Sequence, residues 1–244
     1  MSRISDTGAV TSTSKPAPRS TQRSRGRPAV PVERIIAAAT EIVDEDGAEA
    51  LTMRTLAQRL DSGTATLYRH FRSRAQLIAH VIDTVLGEAD IDAAAAREMP
   101  WRQVVESGAR TLFEVFRAHP QVARLLAERI PMGPNAMRQR EFMIAALLAA
   151  GFGPELAAQA YATVARFVLG FAIQLGEHPT DDDAELPETW RAQDPQSYPA
   201  TVAVADHLPV GLEREFSLGL ELILNGLTQL LDDADLPTAV PTST

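Results

Sequence analysis

The sequence predicts an all-α chain: an N-terminal helix-turn-helix domain of three helices, then a larger C-terminal helical domain. Three observations predict it. From Pro31 to about Leu231, apolar residues recur at spacings of three and four. Pro and Gly break that pattern at helix-length intervals, and no stretch shows the period-two alternation of a strand. Four helix signals crowd into residues 31–86, with a short Gly-containing turn between the second and third.

Residues 1–30 are rich in Ser, Thr, Pro and Arg and hold almost no large apolar side chain, so they are expected to form a disordered basic arm. The first helix opens at Pro31 or Val32, presents Ile35, Ile36, Ala39, Ile42 and Val43 on one face, and ends at Asp46-Gly47, with Gly47 as a left-handed cap. Thr52 is a good N-cap for a second helix with Met53, Leu56, Ala57 and Leu60 inward. A break at Asp61-Ser62-Gly63 leads to a third helix from Thr64 to about Phe71. Ser73 caps a fourth, containing Leu77, Ile78, Val81, Ile82 and Val85.

Beyond these, helices are predicted from Trp101 to Ala118, from Gln121 to about Ile130, from Pro134 to Ala150, from Pro154 to about Gly176, and from Leu212 to about Leu231. Residues 177–212, with Asp181-Asp182-Asp183 and five prolines, read as a long loop holding one short helix near Thr201–His207. The expected division is 1–30 arm, 31–78 helix-turn-helix domain, 79–234 C-terminal domain and 235–244 flexible tail.

Composition narrows the function. The chain has no cysteine, which excludes disulfides, thiolate catalysis and Cys-ligated zinc. No apolar run approaching 20 residues and no signal-like N-terminus stand out, so a cytoplasmic protein without membrane association is expected. The net charge of −9 hides an asymmetry: residues 1–80 hold 12 Lys/Arg against 8 Asp/Glu, and the remainder 11 against 24. A basic front half suits phosphate contact, and an acidic rear half favours solubility. The motifs of enzymes are missing: there is no P-loop, no Gly-x-Ser-x-Gly, no His-Glu-x-x-His and no Glu-x-x-His pair. No enzymatic activity, no cofactor and no metal are expected.

The segment Leu51-Thr-Met-Arg-Thr-Leu-Ala-Gln-Arg-Leu60, followed by Thr66-Leu-Tyr-Arg-His-Phe71 and Ser73-Arg74, resembles the DNA-binding domain of the TetR family of bacterial repressors. His119 to Pro131, Ala149-Ala-Gly-Phe152, Phe167-Val-Leu-Gly170 and Phe216-Ser-Leu-Gly-Leu220 are similar, more loosely, to the tetracycline repressor class. The resemblance implies a ligand-responsive repressor that binds palindromic double-stranded operator DNA as a homodimer. An activator, or a regulator that needs no ligand, would use the same fold.

The residues suit that chemistry. Thr64, Ala65 and Thr66 are short enough for an exposed first turn to approach base edges, where methyl groups meet thymine and hydroxyls hydrogen-bond. Tyr68, Arg69 and His70 can reach flanking phosphates. By resemblance Arg54 occupies a guanine-reading position and Arg74 a phosphate-clamping one. The turn departs from the family, Asp61-Ser62-Gly63 replacing Gly-Val-Ser, and Thr64 can take over capping. In the arm, Arg25 and Arg27 of Arg-Gly-Arg-Pro match an AT-hook core suited to a narrow minor groove. A solubilising basic tail would look the same.

The resemblance also places a ligand-binding and dimerisation function in the C-terminal domain. Leu126 stands where the tetracycline repressor class has a metal-chelating His, and Arg129 where a supporting Thr stands. Gly108, Leu112, Phe142 and Gln174 hold other drug-contact positions, and Phe167 is a further candidate. The loss of polar, metal-binding groups implies a small-molecule effector that is largely apolar and bound without metal. Arg166, on an otherwise apolar helix, could meet an anionic ligand or an interface acid. Val164, Val168 and Phe171, with Phe216, Gly219, Leu220, Ile223, Gly226 and Leu227, are expected to form a four-helix dimer interface, since helices apolar on more than one face must be buried on more than one face.

Overall fold

The computed structural model describes residues 30–89, 98–127, 130–175 and 181–234. The basic arm with Arg25 and Arg27, the Arg129 position and the C-terminal tail lie outside the described residues.

The described residues contain only helices, turns and loops. The first four helices are α1 (Val32–Asp46), α2 (Met53–Arg59), α3 (Thr64–Tyr68) and α4 (Arg74–Leu86). They enclose a core of Ile35, Ala39, Ile42, Val43, Leu51, Leu56, Leu67, Phe71, Leu77 and Val81. Each large side chain there contributes about 1.5–3 kcal/mol by leaving water, which lets a helix as short as α3 persist. A 3-10 turn at Ala48–Ala50 joins α1 to α2. Gly47 adopts φ +85° with ψ 166°. Its positive φ is as expected, but the extended ψ replaces the left-handed cap with a conformation open mainly to glycine.

The remaining helices are α5 (Trp101–Ala118), α6 (Pro120–Ala127), α7 (Pro134–Ala149), α8 (Pro154–Gln174), α9 (Asp181–Arg191), α10 (Pro199–Val204) and α11 (Leu212–Ala234). Proline opens α6, α7, α8 and α10, where its missing N–H costs nothing and its fixed φ already suits a helix. α8 is the hub, packing against α5, α6, α7 and α11. Its 21 residues and mean hydropathy of 1.5 meet the length and composition of a bilayer span, contrary to the sequence expectation. It contacts four helices, and 28% of its apolar window is buried within the protomer.

The expected 177–212 loop is corrected. Residues Asp181–Arg191 form α9, despite Pro187 within it. The expected short helix is α10, followed by a 3-10 turn at Ala205–His207. Arg191 Nε donates to Asp206 Oδ1 at 2.6 Å, joining α9 to that turn.

Candidate functional site: nucleic-acid interface and ligand cavity

The turn between α2 and α3 sets the presentation of α3. Asp61 N–H donates to the Gln58 carbonyl at 3.1 Å and Ser62 N–H to the Ala57 carbonyl at 2.9 Å. With Asp61 at φ +45°, this is a Schellman closure in which aspartate takes the left-handed position usually given to glycine. α2 itself opens with a reciprocal capping box: Thr55 N–H donates to Thr52 Oγ1 at 3.0 Å and Thr52 N–H to Thr55 Oγ1 at 2.9 Å. Gly63 is the N-cap of α3 and makes no side-chain cap bond, so Thr64 is the first helical residue and does not take over capping. The Ser62 hydroxyl is buried without a hydrogen-bond partner among the described residues, where the resembled family has an apolar side chain.

On this frame Thr64 and Ala65 are exposed and Thr66 half-buried, while Leu67 anchors α3 in the core. Tyr68 leaves 55% of its surface exposed. Arg69 is exposed and reaches back to Thr66 Oγ1 at 3.3 Å; His70 is half-buried. Arg54 is exposed on the first turn of α2 and makes no ion pair among the described residues.

Arg74 behaves differently from the expectation. Its Nε donates to the Leu51 carbonyl at 2.5 Å and its Nη2 to the Ala48 carbonyl at 2.6 Å. Two of its three nitrogens are thereby spent on the α1–α2 connection, so Arg74 braces α4 against that connection instead of standing ready for phosphate.

The far end of α4 is tied to α7. Asp83, a buried carboxylate, accepts from Asn135 N–H at 3.1 Å and Ala136 N–H at 3.0 Å, capping α7 from another helix. Asn135 Nδ2 returns a bond to the Asp83 carbonyl at 2.8 Å, and Gln139 Nε2 donates to the Leu86 carbonyl. A Cβ at Gly133 would lie 2.2 Å from the Asp83 carboxylate, so the approach requires glycine.

Between α5, α6, α7 and α8 lies a cavity of about 560 Å³, the size of small-ligand sites. Gly108, Leu112 and Leu126 line it as expected from the sequence, and the exposed Arg166, for which the sequence left two roles open, also borders it. Leu86, the last residue of α4, forms part of its wall. Three expectations fail. Phe142 lines a separate cleft with Trp101 and Arg138. Phe167 stacks on Phe216 at 5.3 Å between ring centroids, filling the α8–α11 contact. Gln174 is exposed and bonds back to the Gly170 carbonyl of its own helix at 3.2 Å. Polar residues that the sequence reading missed are Gln139, Arg140 and Tyr161; Arg140 and Tyr161 are single polar residues on α7 and α8, and no periodic signal singles them out. Among the described residues no group of His, Cys, Asp and Glu could hold a metal.

The dimer stripe is corrected too. Val164, Val168, Phe216, Leu220 and Leu227 are buried inside the protomer, and Val164 and Val168 line the cavity. A Cβ at Gly219 would lie 2.7 Å from the Phe167 ring, so Gly219 serves the α8–α11 contact within one chain. Phe171 and Ile223 are half-buried, and the space beside Gly226 is open. The outward apolar face of α11 instead carries Leu218 and Leu222, 60% and 62% exposed, with Leu230.

Residues 35–81 match the family of bacterial regulatory proteins named tetR, and residues 95–231 match the tetracyclin repressor-like C-terminal domain. An HTH-type transcriptional regulator of Saccharopolyspora erythraea is 33% identical over 203 residues, 81% of this chain and 79% of its own. The HTH-type transcriptional repressor DrrR1 of Streptomyces coeruleorubidus is 30% identical over 221 residues, 85% of this chain and 81% of its own. Apo ActR from Streptomyces coelicolor superposes with a TM-score of 0.78 at 32% identity, covering 84% of this chain and 98% of that one. ActR has also been solved in complex with actinorhodin, with a TM-score of 0.74 at 31% identity over 83% and 98% of the two chains. With both of its parts matched and relatives at 30–33% identity along most of their length, the chain belongs to the tetR family and is a helix-turn-helix DNA-binding transcriptional regulator.

Proposed function

We propose that this regulator is a cytoplasmic homodimeric repressor that holds a palindromic operator and lets go when a small molecule fills the α5–α8 cavity. The observation that carries the reading is the exposed first turn of α3, with Thr64, Ala65 and Thr66 set between Arg54 and Tyr68 on a buried core. Short side chains at that turn reach base edges, and the flanking Arg and Tyr reach base or backbone. Arg69 and His70 extend the contact, and the Arg25 and Arg27 arm would follow the adjacent minor groove. Two copies joined through α8 and α11 would present two such turns to two half-sites.

Release is supported by the two anchored ends of α4. Arg74 fastens its start to the DNA-reading unit, and Asp83 and Leu86 fasten its end to α7 beside the cavity. A ligand that favours a different placement of α7 therefore favours a different placement of α4 and α3. Such a ligand must bind the DNA-free arrangement better, and DNA then weakens ligand binding by the same factor. That ActR has been solved with actinorhodin supports a small-molecule effector here.

The test is fluorescence anisotropy against duplexes tiled from DNA flanking the gene, at near-physiological salt with excess nonspecific competitor. Retention of one palindromic tile is expected. Binding that the competitor abolishes on every tile, and on a random duplex pool, would contradict the proposal.

A further inference from the structure

Among its described residues, the cavity that the proposed function assigns to an effector has a one-sided charge. Its described lining includes two arginines, Arg140 and Arg166, and neither Asp nor Glu. Arg166 is exposed, and water screens it. Arg140 is half-buried and held in place on every side. Its Nε donates to Tyr161 Oη at 3.2 Å, its Nη2 to the Pro131 carbonyl at 3.0 Å, and its Nη1 faces the Met137 sulfur at 2.9 Å. The guanidinium carbon also stands 5.8 Å from the centre of the Tyr161 ring.

All of these partners are neutral, and Arg140 meets no carboxylate among the described residues. A thioether is a weak acceptor, so Nη1 remains available to a better one. Tyr161 Oη accepts from Arg140, so its own proton is free to be donated elsewhere. The result is a charged donor and a polarised hydroxyl side by side at a wall of Leu112, Leu126, Met143 and Leu169. An anion there would gain charge-assisted hydrogen bonds in surroundings drier than bulk water.

From this arrangement we infer that the effector is an amphipathic anion, an apolar body carrying one carboxylate, sulfonate or phenolate, with Arg140 and Tyr161 as its anion seat. This inference rests on the cavity being the effector site, and it adds the charge of the ligand.

Two probes of nearly the same shape test it on the full-length protein: 8-anilinonaphthalene-1-sulfonate, an anion, and N-phenyl-1-naphthylamine, its uncharged counterpart. Fluorescence titration is expected to show the anion bound about tenfold or more tighter than the neutral probe. Arg140→Met is expected to weaken the anion about tenfold and the neutral probe less than twofold; Arg140→Lys restores part of the loss, and Tyr161→Phe gives a smaller one. Leu112→Trp, which pushes a larger side chain into the cavity, is expected to weaken both. Because Arg140 also holds the Pro131 carbonyl, a purely structural role would move both probes together, and that result would overturn the inference. Equal affinity of the two probes, with both displaced by Leu112→Trp, would overturn the anion seat and leave the cavity reading intact. Failure of both probes to bind, or binding indifferent to Leu112→Trp, would overturn the cavity reading and this inference with it.

Discussion

The Nδ1 of His119, at the junction of α5 and α6, lies 2.7 Å from Oδ2 of Asp44 on α1, and its Nε2 lies 3.0 Å from Oε2 of Glu88 just beyond α4. One imidazole thus joins the DNA-reading unit to the C-terminal helices. Burial lowers its pKa, but the hydrogen bonds and charges of Asp44 and then Glu88 outweigh that and raise it above the ordinary histidine value. A neutral ring donates from one nitrogen only, so deprotonation turns a lone pair toward one of the carboxylates.

A group whose pKa rises on folding stabilises the folded state fully below its unfolded pKa, about 6.5 for histidine. That contribution is lost as pH rises through the raised folded value. The midpoint of thermal unfolding of the wild type relative to His119→Gln is therefore expected to be higher at pH 6 than at pH 8.5. Equal differences at the two pH values would contradict this.

Asp83 satisfies two N–H groups at the start of α7, one of them buried. Asp83→Ala leaves both without a partner and is expected to cost about 1–3 kcal/mol in urea unfolding at fixed protein concentration. Gly133→Ala is expected to destabilise to a similar extent, since its Cβ would meet the same carboxylate at 2.2 Å. Asp83→Asn, which keeps one acceptor oxygen, should lose less than Asp83→Ala.

Asp61 holds the turn before α3 at φ +45°. A β-branched residue pays a larger steric cost there, so Asp61→Val is expected to destabilise by about 1–2 kcal/mol, and Asp61→Gly to be neutral or stabilising by up to about 1 kcal/mol. Denaturant midpoints of the two variants check the order. The reverse order would show that the turn does not need its left-handed residue.

Leu218 and Leu222 lie one helical turn apart on the outward face of α11. If that face joins two copies, Leu218→Glu with Leu222→Glu is expected to convert the dimer to monomer in sedimentation velocity. Phe216→Ala acts on the protomer core and should lower stability first. A double variant that sediments as a dimer would place the interface elsewhere.

Much of the fold was legible because punctuation residues mark its edges. Pro134, Pro154 and Gly63 set the starts of α7, α8 and α3 where the sequence placed them. The exposed side of α3 was legible because Leu67 and Phe71 fix which side faces inward, which leaves Thr64, Ala65 and Tyr68 outward. The inward face of α11 was not, because α11 carries leucine nearly all round and no periodicity says which stripe meets the chain's own α5 and α8. The cavity was only half legible. Leu112 and Leu126 were found by position in the family, but the same positions at Phe142 and Gln174 point elsewhere in this chain. α9 was missed because its acidic start and internal proline mimic a loop.

In the proposed function, Arg54 and Tyr68 flank the surface that reads DNA. This is tested most directly by titrating the tile that survives competitor with wild type, Arg54→Ala and Tyr68→Ala at several salt concentrations. Each substitution is expected to weaken binding at least about tenfold, consistent with about 1–3 kcal/mol for a direct contact, with wild-type thermal stability retained. Unchanged affinity in both variants would contradict the account and move the reading surface away from α2 and α3.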